Sequence, residues 1–142
     1  MELTVLDTGP IVALLRADDA DHTSSVAAIK HSAKQGRLLS TTWEVISEAY
    51  TVIRYRFARD ATPALNVLRW AETVDVLSTE PADRARAHDI LGRHLNLKLS
   101  YVDALVLAVS ERRHADELMT LDNELAAVRL SPPVRVTVAR AS

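Results

Sequence analysis

Short apolar runs alternate along this chain with longer segments in which apolar residues recur at helical spacing. The apolar runs are short enough for buried strands and lie at residues 3–6, 38–40, 74–77 and 118–120. The segments with helical periodicity lie at residues 11–16, 22–35, 43–57, 63–71, 81–94 and 100–113. Because helices separate each strand from the next, the pattern predicts an α/β fold built on a short, mainly parallel sheet.

Turn-forming residues and a last alternating segment complete this organisation. Gly9 and Pro10 end the first strand, and Gly36 stands just past the predicted end of the second helix. Apolar and polar residues alternate at 134–138, which predicts a half-exposed edge strand and brings the sheet to four or five strands. No repeat, linker or low-complexity segment divides the chain. We therefore expect residues 1–142 to form one compact domain, with helices flanking the sheet.

The composition supports a packed aliphatic core. The chain has 142 residues, of which 48% are hydrophobic, yet it has only one Phe, two Trp and three Tyr. A chain of this length can bury a core without disulfides or a structural metal. Residues 100–113 form the most apolar of the predicted helices, and we expect that helix to be central and buried.

Charge and cysteine content exclude several classes of protein. A net charge of −2 excludes a protein that holds nucleic acid through overall positive charge. The absence of cysteine excludes thiolate metal sites and cysteine nucleophiles. The longest uninterrupted apolar run, residues 104–109, is too short to span a bilayer, and no basic segment precedes the first apolar residues. We therefore expect a soluble cytoplasmic protein without membrane association.

Four acidic residues stand near the points where predicted strands end. Asp7 directly follows the first strand, and Asp122 follows the fourth. Glu48 lies in the first turns of the helix after the second strand, and Asp103 lies in the first turn of the most apolar helix. In parallel α/β sheets, ligands bind at the carboxyl ends of the strands. We therefore expect these four carboxylates to face one crevice.

Carboxylates gathered in a crevice need either protons or a cation. Two of them about 4 Å apart repel each other by roughly 4 kcal/mol at an effective dielectric constant of about 20. Oxygen ligands without Cys or His select a hard ion, Mg²⁺ or Mn²⁺ rather than Zn²⁺. Such ions also bind substrate phosphates, which indicates phosphodiester hydrolysis by a metal-activated water.

Each carboxylate also has a purely structural explanation. Asp7 could cap the helix that follows it, and Asp122 could cap the turn that follows it. Asp103 could form a capping box with Ser100. Glu48 lies opposite the apolar stripe of its helix, where a solvated side chain is the ordinary outcome.

At these positions the chain resembles the PIN domain, and specifically the VapC-like ribonuclease toxins of bacterial toxin–antitoxin pairs. The matching stretches span nearly the whole length and lie at residues 5–8, 13–15, 41–49, 100–104 and 120–122. Each stretch is short, but their order and separations together form a fairly specific signature. The resemblance implies a compact α/β fold around a parallel sheet, an acidic Mg²⁺ or Mn²⁺ site and endonucleolytic cleavage of RNA.

The resemblance also assigns roles to individual positions. It implies that Asp7 and Asp103 are the main metal ligands, and that Glu48 and Asp122 complete the site directly or through water. It implies that the hydroxyl of Thr120 orients Asp122 or a bound water. It further implies a homodimer and a cognate antitoxin, whose C-terminal segment would cover the site and offer it a basic side chain.

Basic residues close to the predicted site have two explanations. The helices that carry two of the carboxylates end in arginines, namely Arg54, Arg56 and Arg59 in one and Arg112 and Arg113 in the other. The helix dipole favours basic residues at these ends. Contacts with substrate phosphates are the alternative explanation.

Two other functions fit an acidic crevice. A receiver-type phosphoacceptor domain also gathers carboxylates and Mg²⁺ at a sheet edge, but Asp7 has no acidic neighbour at Leu6 or Thr8. A non-catalytic module could use the same crevice to dock a basic peptide, without a metal. The pattern and the resemblance together favour a metal-dependent ribonuclease that acts as a toxin.

Overall fold

A parallel sheet of five strands forms the centre of the fold. The computed structural model describes residues 2–142. The strands are β1 (Leu3–Leu6), β2 (Leu38–Thr42), β3 (Asp75–Leu77), β4 (Glu117–Thr120) and β5 (Arg135–Val138). Their order in the sheet is β3-β2-β1-β4-β5, and all neighbours are parallel. The predicted α/β fold with a mainly parallel sheet is therefore confirmed.

Pairs of helices connect the first four strands. They are α1 (Thr8–Leu15) and α2 (His22–Lys34), α3 (Trp43–Arg56) and α4 (Thr62–Ala71), and α5 (Pro81–Arg93) and α6 (Tyr101–Arg112). A 3₁₀ helix, Asn123–Ala127, connects β4 to β5. None of the helices within residues 2–142 combines the length and hydropathy of a membrane span.

Two element boundaries differ from the sequence-based prediction by two residues or more. Helix α1 begins at Thr8 rather than at residue 11, because Pro10 occupies the third helical position, where an N–H group has no intrahelical partner in any case. Strand β2 continues to Thr42 rather than ending at residue 40. The hydroxyl of Thr41 donates to the Leu6 carbonyl at 2.8 Å, and that of Thr42 then caps α3 by accepting from the Val45 amide.

The order in which the strands are added to the sheet reverses at β1. The chain first adds β2 and β3 on one side of β1, and then returns to place β4 and β5 on the other side. A crevice forms at such a switch point, between the loops that leave the two neighbouring strands in opposite directions. Asp7 follows β1 and Asp122 follows β4, so the topology brings the loops that carry them to the same edge.

The core is aliphatic, as the composition predicts. Every residue of β1 and β4 is buried, and so is each residue of α6 from Ala104 to Ser110. The prediction that this helix is central and buried is therefore confirmed. The largest fully buried side chains include Leu6, Ile11, Ile46, Ile53, Ile90, Leu107, Leu118 and Met119.

The amino-terminal end of β4 carries a buried carboxylate that the sequence pattern did not reveal. Glu117 is only 3% exposed. It is surrounded by the hydroxyls of Thr4, Ser32 and Thr137 and the guanidinium groups of Arg37 and Arg135. Burial by itself raises the pKa of Glu117, but the hydroxyl hydrogen bonds and the charge of Arg135 outweigh it and hold the pKa below its usual range. The ionised form of this residue is therefore the one that stabilises the fold.

We expect Glu117→Gln to lower the free energy of unfolding by about 3 kcal/mol at pH 7, because the surrounding donors lose an ionised acceptor. A carboxyl group whose pKa is lower in the folded than in the unfolded protein stabilises the fold at pH values above the unfolded pKa. This stabilisation is lost as the pH falls through the folded pKa. The difference between variant and wild type should therefore shrink at pH 3. Urea unfolding at both pH values measures it, with the exposed Glu72→Gln as control. An equal difference at the two pH values would contradict the ionic explanation.

Candidate functional site

A cleft of about 350 Å³ opens at the carboxyl ends of β1 and β4. The acidic and hydroxyl side chains that line it are Asp7, Thr8, Asp19, Asp21, Glu48, Thr120 and Asp122. Three of the four predicted carboxylates therefore share this cleft. The fourth, Asp103, lies at the start of α6 and is close enough to Asp7 to repel its charge.

Asp7 is buried at the base of this cleft, with 5% of its surface exposed. It occupies the N-cap position of α1, but its side chain makes no capping hydrogen bond. Its Oδ2 atom accepts a hydrogen bond from the Thr120 hydroxyl at 2.8 Å. Its Oδ1 atom is buried and has no hydrogen-bond partner among residues 2–142. Helix capping, the structural alternative for this residue, therefore does not explain its position.

The electrostatic environment of Asp7 disfavours its charge. Burial, followed by the negative charge of Asp103, raises the pKa of Asp7 from 3.8 to about 6, and Glu48 adds a smaller contribution. The backbone amide of Thr8 and the hydroxyl of Thr120 act in the opposite direction, but together they do not restore the usual pKa of Asp7. The folded protein thus holds a carboxylate whose ionisation it does not stabilise by itself.

Asp103 has a structural role, and its pKa is raised like that of Asp7. Its Oδ2 atom accepts from the Ser100 amide at 2.9 Å, and its own amide donates to the Ser100 hydroxyl at 3.0 Å. The capping box considered for this pair is therefore present. Burial nevertheless raises the pKa of Asp103, and the charges of Glu48 and Asp122 add to the rise. Capping alone does not account for a carboxylate in these surroundings.

Thr120 links Asp7 to the loop that carries Asp122. Its hydroxyl donates to Asp7 and accepts from the backbone amide of Asp122 at 3.0 Å. The Asp122 side chain also caps the 3₁₀ helix, since its Oδ1 atom accepts from the Glu124 amide at 2.9 Å. Thr120 therefore contacts Asp122 only at the backbone amide, and the hydroxyl proton of Thr120 points to the Asp7 carboxylate.

Glu48 faces the cleft rather than bulk solvent. Helix α3 begins directly after β2, so its first turns lie at the carboxyl edge of the sheet. Glu48 is partly buried there, lines the cleft and contributes to the raised pKa of Asp7 and Asp103. The helical wheel, from which the alternative of a solvated face was drawn, did not predict this position beside the other carboxylates, because it carries no information about the neighbouring strand ends.

Two further carboxylates in the cleft were not predicted as site residues. Asp19 and Asp21 belong to the stretch between α1 and α2, where the sequence predicts an acidic turn but gives no indication of a site. Asp19 forms an ion pair with Arg56 at 3.7 Å, and Asp21 accepts from the Ala141 amide at 2.7 Å. The run of aspartates at 18–21 was visible in the sequence, but aspartate is common in turns and gave no sign that this one borders the site.

Two of the arginines at the helix ends make structural contacts. Arg54 donates to the carbonyls of Phe57 and Ala58 at the end of α3, each at 2.9 Å. Arg112 binds the buried Asp83 at 2.8 Å. For these two arginines the contacts favour a structural role over phosphate binding.

The donor set of the cleft fits a hard divalent cation. It offers carboxylate and hydroxyl oxygens, and one carboxylate oxygen lacks a partner within residues 2–142. Burial, together with neighbouring negative charges, raises the pKa of Asp7 and of Asp103. Among residues 2–142, no group of three or more His, Cys, Asp or Glu side chains is arranged so that all could hold one ion. Mg²⁺ ordinarily takes only one or two carboxylates and fills its remaining positions with water and phosphate.

Comparisons with known proteins give consistent results. The profile of the family described as PIN domain matches residues 4–130. Comparison with curated protein sequences gives no match.

VapC20 from Mycobacterium tuberculosis, described as a sarcin–ricin loop cleaving toxin, is 23% identical, with a TM-score of 0.74 over 87% of this chain and 93% of that chain. VapBC2 from Rickettsia felis, bound to promoter DNA, is 12% identical, with a TM-score of 0.71 over 94% and 96% of the two chains. DNA-bound VapBC from Salmonella typhimurium is 15% identical, with a TM-score of 0.67 over 96% and 97%. At these identities the structures show a shared fold, and function must be argued from the site.

The raised pKa of Asp7 predicts a specific pH dependence of stability. A carboxyl pKa that is higher in the folded than in the unfolded protein costs stability as pH rises from 3.8 to about 6. We therefore expect Asp7→Asn to be more stable than wild type by about 3 kcal/mol at pH 7.5 and nearly equal to it at pH 4. Urea unfolding in EDTA measures this, with the exposed Asp75→Asn as control. A variant less stable than wild type at pH 7.5 would contradict the electrostatic cost.

Proposed function

This chain belongs to the PIN domain family, and we propose that it is a metal-dependent endoribonuclease that acts in the cytoplasm as the toxin of a VapBC-type toxin–antitoxin pair. One observation carries the proposal: a buried Asp7 carboxylate with an unpartnered oxygen lies at the sheet switch point, under repulsion from nearby carboxylates. A folded protein that keeps such a group has a use for it, since burial of an unsatisfied charge is costly.

The residues of the chain have distinct roles in this proposal. Thr120 holds Oδ2 of Asp7, so that Oδ1 remains available to a ligand. Ser100 holds Oδ2 of Asp103 through the capping box. Asp7 and Asp103 would hold the cation, with Glu48 and Asp122 completing the site directly or through water. A Mg²⁺ or Mn²⁺ ion bound there would relieve the repulsion, hold the scissile phosphate and activate the attacking water.

Backbone contacts keep these side chains in place. The Asp7 amide donates to the Met119 carbonyl at 2.9 Å, so the ends of β1 and β4 remain paired up to the site. A Cβ atom on Gly9 would lie 2.8 Å from Cγ of Leu121. Helix α1 therefore packs tightly against Leu121, which lies between Thr120 and Asp122, and this contact requires glycine at position 9.

The similar solved structures support a proposal for the partners of this chain. The similar structures include toxin–antitoxin complexes and a toxin described as cleaving the sarcin–ricin loop. For this chain we accordingly propose a cognate antitoxin as protein partner, RNA as substrate and a homodimer as the assembly. The acidic cleft suits a basic antitoxin side chain, which would neutralise the same carboxylates that hold the cation.

We expect purified wild-type chain to cleave synthetic RNA at internal positions with Mn²⁺ or Mg²⁺ and not with EDTA. Asp7→Asn and Asp103→Asn should each lose at least roughly 100-fold in rate, because each removes a charge that holds the cation. The amide oxygen of asparagine can still accept from the Ser100 amide, so Asp103→Asn separates the ligand role from the capping box. Sequencing of the cleavage ends gives the measurement, with Asp75→Asn as control.

Normal cleavage by either site variant would exclude a catalytic role for that residue. Cleavage that persists in EDTA would exclude the metal dependence. A covalent adduct with a small phosphodonor, without RNA cleavage, would instead indicate the receiver-type function.

Cation binding should also stabilise the fold. A ligand that binds only the native state at 100 times its dissociation constant adds about 2.7 kcal/mol to the free energy of unfolding. We expect Mn²⁺ to raise the melting temperature of wild type, and to have little effect on Asp7→Asn. Differential scanning calorimetry with and without Mn²⁺ measures both. An equal rise in both proteins would place the ion elsewhere, and no rise in either, with intact RNA, would support a non-catalytic docking module.

A further inference from the structure

A second cleft, of about 500 Å³, adjoins the acidic cleft along α3. The two clefts share Glu48 and Val52 in their linings. The second cleft is also lined by Trp43, Glu44, Ser47, Thr51 and Val102. We propose that this second cleft binds one nucleobase of the RNA beside the scissile phosphate. The inference rests on the proposed ribonuclease function and adds a base-recognition subsite to it.

Trp43 provides the stacking surface. It is the first residue of α3 and is 56% exposed, which is unusual for so large an aromatic side chain. The hydroxyl of Thr42 fixes this helix start by accepting from the Val45 amide at 3.3 Å. Proteins that bind single-stranded RNA stack unpaired bases on aromatic side chains held in this way.

Glu44 provides a hydrogen-bond acceptor in the same cleft. Its Oε2 atom accepts from the Thr79 hydroxyl at 3.1 Å, so a residue from the loop before α5 orients the carboxylate. Its Oε1 atom is buried and has no hydrogen-bond partner among residues 2–142. A buried acceptor without a donor costs free energy and marks a position where a ligand can supply the missing N–H group. The exocyclic amino group of adenine, cytosine or guanine is such a donor.

The charge of the second cleft favours a base over a phosphate. Glu44 and Glu48 both line it, and two carboxylates repel an anion but accept from a neutral N–H donor. Because Glu48 also borders the acidic cleft, a nucleotide in the second cleft lies next to a phosphate in the first. The juxtaposition of an exposed aromatic ring, an unpartnered acceptor and the candidate catalytic carboxylates therefore points to a base that flanks the cleavage point.

The test compares variants on RNA with and without a base at the flanking positions. We expect Trp43→Ala to lower kcat/KM on RNA by about tenfold, and Trp43→Phe to retain most of it, because phenylalanine still stacks. Abasic RNA should be a poorer substrate for wild type by a similar factor, and Trp43→Ala should cause no further loss on it. Tyr55→Ala is the matched control, since Tyr55 lies on the same helix, is 82% exposed and lines neither cleft.

Glu44 is tested by base preference. Wild type should cleave RNA with an amino-bearing base at the flanking position about tenfold better than RNA with uracil there. Glu44→Leu should lose most of this preference, because leucine has a similar size but carries no hydrogen-bond acceptor. An unchanged preference in Glu44→Leu would overturn the assignment of Glu44 as the acceptor.

A binding measurement separates this inference from the nuclease proposal. The chain has two tryptophans, Trp43 and Trp70. In a Trp70→Phe, Asp7→Asn background, RNA should quench the fluorescence of Trp43. Quenching without cleavage by the wild type would support the base subsite and overturn the nuclease proposal. Cleavage without quenching, and with no effect of Trp43→Ala, would overturn the subsite alone. Loss of antitoxin binding or dimerisation in Trp43→Ala, with unchanged RNA cleavage, would show a protein interface and likewise overturn it.

Discussion

The burial of one carboxylate constrains this structure more than any other single feature. Asp7 lies at the end of a fully buried strand, and one of its oxygens has no hydrogen-bond partner within residues 2–142. The cost of that arrangement appears as a pKa near 6. The packed aliphatic core and the continuous parallel sheet offset this cost. They hold the end of β1 in place, so that Asp7 cannot move to a more favourable position.

The topology explains why the other carboxylates converge on Asp7. Strands β1 and β4 are neighbours at the switch point of the sheet, so the loops after them diverge and leave a cleft. Helices α3 and α6 bring Glu48 and Asp103 to that edge from their first turns. The capping interactions of Asp103 and Asp122 do not compete with a role in the site, because a carboxylate has enough lone pairs to cap a helix and bind a second partner.

Much of this arrangement was predictable from the sequence, and the exceptions have physical causes. Short apolar runs predicted four of the strands, and the alternation at 134–138 predicted the fifth, since burial imposes a pattern that the residues carry locally. The position of Glu48 was ambiguous because a helical wheel defines only the side of its own helix. Asp19, Asp21, Glu44 and Glu117 gave no local signal, because each depends on partners distant in the chain.

Strand β4 is linked to β1 by side-chain hydrogen bonds at both of its ends, in opposite senses. At the amino-terminal end of β4, Thr4 of β1 donates a hydrogen bond to Glu117 of β4. At the carboxyl-terminal end, Thr120 of β4 donates a hydrogen bond to Asp7, the residue that follows β1. A shift of β4 by one residue would turn every side chain to the opposite face and break both bonds together. A chain with misaligned strands therefore cannot form the acidic cleft, and correct alignment becomes a condition for any chemistry there.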